Sequence, residues 1–193
     1  MKKIFYILTA LTLLMFGAFS TAYADFAERP VGLVVLDYGR NVDTAFYKQD
    51  IYAPVRWAYH FPYYKIHDNE EMTQAVAAAL NQKNVKVTPE LMNSLAEQNK
   101  MDVLVVAKIY ETSEVIVSNM GFRRDDPSYY TRVTCWADLY CYRKDNNKLL
   151  QKKLRERFLA DNNAYESPRD TVKWQLSKLV NTMEGRPIIG GDN

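Results

Sequence analysis

Few residues in this chain could do chemistry, and most of those are spaced for something else. Only two histidines occur, His60 and His67. His67 and the adjacent Asp68 offer part of a metal's ligand set, but a closed site needs about four ligands. Both histidines read instead as solvated groups flanking a short strand. The two cysteines, Cys135 and Cys141, fall on one strand pattern, about 20 Å apart at ~3.3 Å per residue. A disulfide cannot span that, and both read as buried thiols acting as small hydrophobes. Asp37 and Arg40 lie just past an apolar strand, where open α/β sheets tend to bind ligands; the same residues also make an ordinary strand-end turn. Arg123 and Arg124 could hold an anion, yet Asp125 and Asp126 follow at once and neutralise them on a solvated loop. Gly-x-Ser-x-Gly, His-Glu-x-x-His and Cys-x-x-Cys are all missing from the sequence, as is a phosphate-cradling glycine loop. No catalytic, cofactor or metal role is expected.

A different chemistry is better supported. Trp136, Tyr140 and Tyr142 alternate along one strand pattern, and Lys153, Arg155 and Arg157 along the next. Taking Asn146-Asn147 as a two-residue turn pairs Leu139 with Leu154 and Cys135 with Phe158 on one face. On the other it pairs Asp138 with Arg155, Trp136 with Arg157 and Tyr140 with Lys153. One face is apolar; the other combines an ion pair with cation–aromatic neighbours. Aromatic and arginine clusters anchor protein interfaces, so these six residues form the candidate interaction surface, which Trp174 could extend. The competing expectations are a helix over 148–159 and a helix lying across the aromatic face.

The elements that must position this hairpin are read in chain order. Val31 to Leu36 is a fully apolar strand. Residues 44–61 are helical in pattern, with Pro54 kinking the helix or starting a shorter one. Tyr63 to His67 is a short peripheral strand. Asp68 caps a helix with Met72, Val76 and Leu80 on its buried stripe. Thr88 and Pro89 start the next helix, and Val103 to Tyr110 is a strand apolar on both faces, so it is central. Glu111 to Glu114 turn the chain into a further strand, Val115 to Ser118. An exposed loop spans 119–128. After the hairpin, Ser167-Pro168-Arg169-Asp170 opens the last helix, which buries Val172, Leu176, Leu179, Val180 and Met183 and ends at Gly185. The order β-α-β-α-α-β-β-β-β-α predicts an α/β (α+β) fold: a single domain with a mixed sheet of about five to six strands and helices packed on it.

Lys2 and Lys3, the apolar run Ile4 to Phe19, and Ala22-Tyr23-Ala24 read as a signal peptide cleaved after Ala24. The domain then occupies 25–185, with 186–193 a flexible tail. No cysteine precedes Cys135, so no lipid anchor is expected at the cleavage point. The chain carries 25 basic and 23 acidic residues. Two lysines and no acid leave with the signal, so the remainder is formally neutral and has no general pull toward nucleic acid. A periplasmic or secreted protein follows.

Four stretches carry a family resemblance: Val31 to Asp37, the helix Met72 to Leu80 after a short aromatic strand, Thr88-Pro89-Glu90-Leu91 with Met101 to Ala107, and Ala137-Asp138-Leu139-Tyr140 through Leu150. Together they resemble the α/β domain of CsgG-like envelope proteins and the N-terminal domain of the Tol-associated propeller protein. The turn at Asp145 lacks that family's glycine. The resemblance implies an envelope protein working by contacts, with an envelope protein or a second copy of this chain as partner. The alternative is a small-ligand protein or enzyme using a cleft beyond Asp37.

Overall fold

The computed structural model describes residues 28–39, 44–82, 85–119, 128–161 and 165–187. They form one mixed five-stranded sheet between two layers of helices. β1 (Arg29–Asp37) lies parallel to β2 (Tyr64–His67) on one side and to β3 (Val103–Asn119) on the other. β3, β4 (Ser128–Arg143) and β5 (Lys148–Asp161) follow antiparallel, giving the order β2-β1-β3-β4-β5. The expected α/β class and mixed sheet are thus observed. The signal-like segment and the 119–128 loop beyond Asn119 lie outside the described residues, apart from Ser128, which starts β4.

Two cores explain why the central strands are apolar both ways. On one face α1 (Thr44–Ala58) and α4 (Pro168–Met183) bury Val31, Leu33, Val103, Val105, Leu139 and Leu154. On the other, α2 (Glu70–Leu80) and α3 (Pro89–Gln98) bury Val34, Leu36, Leu104, Val106 and Tyr142. Thr88 caps α3, accepting from the Leu91 amide at 3.3 Å. α4 buries the five residues its stripe predicts. Ser167 stands at its cap position without a side-chain bond to the helix. The cap of α2 is Asn69 rather than Asp68: its Oδ1 accepts from Met72 at 2.8 Å, while Asp68 is drawn to Lys48 at 2.9 Å. α1 is one helix with Pro54 inside.

Two expectations about the strands need correction. Residues 103–119 are one strand, not two separated by a turn. The polar stretch Glu111-Thr112-Ser113-Glu114 stays paired with β4 because a register shift between Ile109 and Glu111 absorbs one residue, Tyr110. Such a bulge reverses which residues face each layer: Ile109 points to the α1/α4 side, and beyond the bulge Thr112 takes over that side opposite Cys135.

The hairpin exists, and 148–159 is strand, but its turn has four residues. Arg143 pairs with Lys148, Trp136 with Arg155 and Asp138 with Lys153. Trp136 therefore does not face Arg157, nor Tyr140 Lys153, nor Leu139 Leu154, and Phe158 lies opposite Val133 rather than Cys135 and is exposed instead of buried. The slip is two residues, so every side chain keeps its expected face. Asp145 accounts for the longer turn. It bonds Arg143 at 2.7 Å and Arg29 at 3.1 Å, and Asn147 takes the left-handed conformation at φ 48. Arg143, and then Arg29, hold the Asp145 carboxyl below the usual range. A carboxylate with a lowered folded pKa stabilises above its unfolded value and loses that contribution as pH falls through the folded one. Asp145→Asn is therefore expected to cost about 0.5 kcal/mol at pH 7, since the pair is partly exposed. The gap from wild type should close below about pH 4, which urea melts across that range would measure.

Candidate interaction face

The sheet face shared with α2 and α3 divides into two halves. Over the first, the helices sit directly on the strands. Tyr142 is 0% exposed, and its hydroxyl lies 2.9 Å from the side-chain oxygens of Asn93 and Asn147. Tyr140 is buried as well. These two residues are core, and they correct the expectation that all three aromatics of the hairpin present a free surface. Their even spacing with Trp136 fixes only the side they point to, not how far the helices reach.

The boundary between the halves is a polar cluster. Lys108 continues the β3 alternation opposite Asp138 and is only 9% exposed. Its Nζ donates to the Leu80 carbonyl at the end of α2, at 3.1 Å, where a cation also opposes the negative helix end. The same ammonium lies 5.6 Å from the Tyr38 ring centroid and 5.7 Å from that of Tyr110, and the two rings stack. The Tyr38 hydroxyl donates to the Asn81 side chain. Asp138 accepts from Tyr110 at 2.9 Å and from Arg155 at 2.7 Å. Burial, then the neighbouring Asp138, pushes the Tyr110 hydroxyl well above its ordinary pKa, so it remains a donor. The bulge makes this cluster by keeping Tyr110 beside Asp138 on the face where Lys108 already points.

Beyond that cluster the strands run on without a helix over them, among the described residues. Trp136 is 38% exposed, Leu159 61% and Val115 40%. The register places Val115 and Val117 beside Arg132 and Tyr130, and Arg132 opposite Leu159. Arg155 and Arg157 stand on the same side, and both are exposed. From Glu111 to Asn119 this ribbon extends about 26 Å at ~3.3 Å per residue. On this face the apolar side chains of Trp136, Val115, Val117 and Leu159 are interspersed with the guanidinium groups of Arg132, Arg155 and Arg157. Sequence reasoning located Trp136, Arg155 and Arg157 here; it missed Arg132, Val115, Val117 and Leu159 because the assumed turn at 111–114 detached β3 from this part of the sheet. Lys153 belongs with the polar cluster, where it pairs with Asp138 in register.

The other candidate residues fall elsewhere. Asp37 makes the strand-end turn, accepting from Gly39 N–H at 2.7 Å, and burial raises its carboxyl pKa. Arg40, Arg123 and Arg124 lie outside the described residues. Trp174 does not extend the face: it lies in the opposite layer with Pro54 and Trp57, under the Lys178 ammonium at 5.0 Å. Cys135 and Cys141 are both free and buried, and burial pushes each thiol up to about 12. No group of three or more His, Cys, Asp or Glu side chains is arranged to hold a metal among the described residues. None of their helices is long and apolar enough to cross a membrane.

No protein-family model matches the chain, and no curated protein matches it either. Among solved structures it is similar to the lipoprotein GNA1162 from Neisseria meningitidis, at 14% identity and a TM-score of 0.35 over 81% of this chain and 99% of that one. It is similar to the hypothetical protein CT253 from Chlamydia trachomatis at 15% identity and a TM-score of 0.42, covering 82% and 97% of the two chains. A third is the PelC dodecamer from Paraburkholderia phytofirmans, at 7% identity and a TM-score of 0.41, covering 84% and 91%.

Proposed function

We propose that this chain is an exported, non-enzymatic envelope protein whose work is to bind a protein partner on the uncovered half of its sheet. The observation that carries the proposal is the contrast along one face. Tyr140 and Tyr142 lie sealed beneath helices, whereas Trp136, Val115 and Leu159, equally apolar, are left exposed among arginines. Exposed aromatic and aliphatic groups ringed by arginine are the usual anchors of an interface. With Arg155 already paired to Asp138, Arg132 and Arg157 against Glu111 leave the face a modest positive balance, so the partner it fits presents apolar side chains interspersed with acidic ones. Export rests on the targeting pattern of residues 1–24. The same proposal places the chain with the envelope α/β domains that its element order resembles.

A photo-crosslinking amino acid at position 159 or 136 tests this in native envelopes. A discrete adduct from both positions, absent from Gln74 on the exposed side of α2 and weakened by Arg157→Glu, is the expected result. Equal labelling at all three positions, or none at 136 and 159, would reject the proposal.

A further inference from the structure

We propose that the crevice between the α2–α3 connection and β3–β5 is a binding site for a small oxyanion-bearing ligand, with a carboxylate or phosphate group seated against Lys108 and Lys153. The crevice encloses about 570 Å³ and is lined by Lys86, Lys108, Tyr110, Tyr140, Gln151 and Lys153 among others, a size ordinary for a metabolite pocket. Asp138 is the acidic residue on its wall, and that carboxylate is already engaged by Arg155 and Tyr110. Three lysines therefore line a space whose one acidic lining residue, among the described residues, is neutralised by Arg155.

Lys108 is the group that most needs an explanation. An ammonium carries three donors, and the Leu80 carbonyl takes one of them. The Tyr38 and Tyr110 rings attract the cation but accept no full hydrogen bond. Burial lowers its pKa, and Asp138 offsets this only in part. An anion in the crevice would satisfy the remaining donors and relieve that desolvation. Capping α2 would need just one N–H, and it would not need lysines on two further segments, Lys86 and Lys153, lining the same crevice. Hydroxyls of Tyr110 and Tyr140 and the Gln151 amide add polar contacts suited to a hydroxylated ligand. Pocket and interaction face adjoin at Tyr110, and a titration of the protein alone reads occupancy of the pocket without the partner.

The test is an amide-resolved NMR titration of the protein with inorganic phosphate, glucuronate and, as the neutral control, glucose. Saturable shifts at Thr88, Lys108 and Gln151 with phosphate, glucuronate or both, at a Kd below about 1 mM in low salt, support the site; which anion binds identifies the headgroup. Lys153→Glu, at an exposed position, should weaken binding at least tenfold while the free variant's amide spectrum remains that of the fold, and Lys108→Gln should do so where it folds. Absence of saturable shifts, equal response to glucose, or unchanged affinity in Lys153→Glu would overturn the proposal.

Discussion

Gly32→Val should lower unfolding stability by about 3 kcal/mol, with the denaturant slope unchanged, and so be among the most damaging single substitutions in the chain. Gly32 sits in β1 where α2 crosses the sheet. A Cβ there would lie 2.8 Å from Met72 Sδ, 2.9 Å from Leu104 Cδ1 and 3.1 Å from Met101 Cγ. Each neighbour is buried, so the methionines have no free space into which to swing. Overpacking a closed core costs about 1–3 kcal/mol, and the two branches of valine place it at or above the upper end. Gly32→Ala should fall lower in the range. Measured by urea melts, a loss below about 1 kcal/mol for valine would mean that α2 does not rest on β1 as described.

How far the sequence reveals this arrangement depends on which physical rule each element obeys. The α3 start and the α4 stripe are local: Thr88-Pro89 and the spacing from Val172 to Met183 decide them without tertiary help. The two faces of the hairpin are also legible, because a two-residue slip preserves side-chain parity even though the turn was taken too short. Asp145 lengthens that turn through Arg29, 116 positions away, and no local reading could supply that contact. The bulge at Tyr110 was hidden for a related reason. Glu-Thr-Ser-Glu has turn composition, and it remains a strand because β4 pairs with it and no helix demands that it be apolar. Lys108 sits inside the run Val103 to Ile109 and was absorbed as one more strand residue. Its meaning emerges only when the α2 carbonyl end and Asp138 are placed around it. The division of the candidate face into sealed and open halves is likewise tertiary: it is set by where α2 and α3 stop, which strand periodicity does not encode.

The second large prediction separates stability from binding along a single strand, β5, whose Leu154 is buried on one side of the sheet and whose Leu159 is exposed on the other. Leu154→Ala should cost about 2–5 kcal/mol, whereas Leu159→Ala, five positions on, should stay within about 0.5 kcal/mol of wild type. Leu154 is 1% exposed in the core beneath α4, and truncation there leaves a cavity that close-packed neighbours fill only in part. Leu159 is 61% exposed, so its methyls lose little on removal and contribute little to folding. Thermal and urea melts give the first half of the comparison, and the yield of partner adduct from a crosslinker at 136 gives the second. Leu159→Ala should cut that yield severalfold with its melting curve unmoved, and Leu154→Ala should leave the yield intact at temperatures where it remains folded. A Leu159→Ala variant that destabilises by more than about 1 kcal/mol would mean that this end of the ribbon is packed rather than open, and the face would then be part of the core.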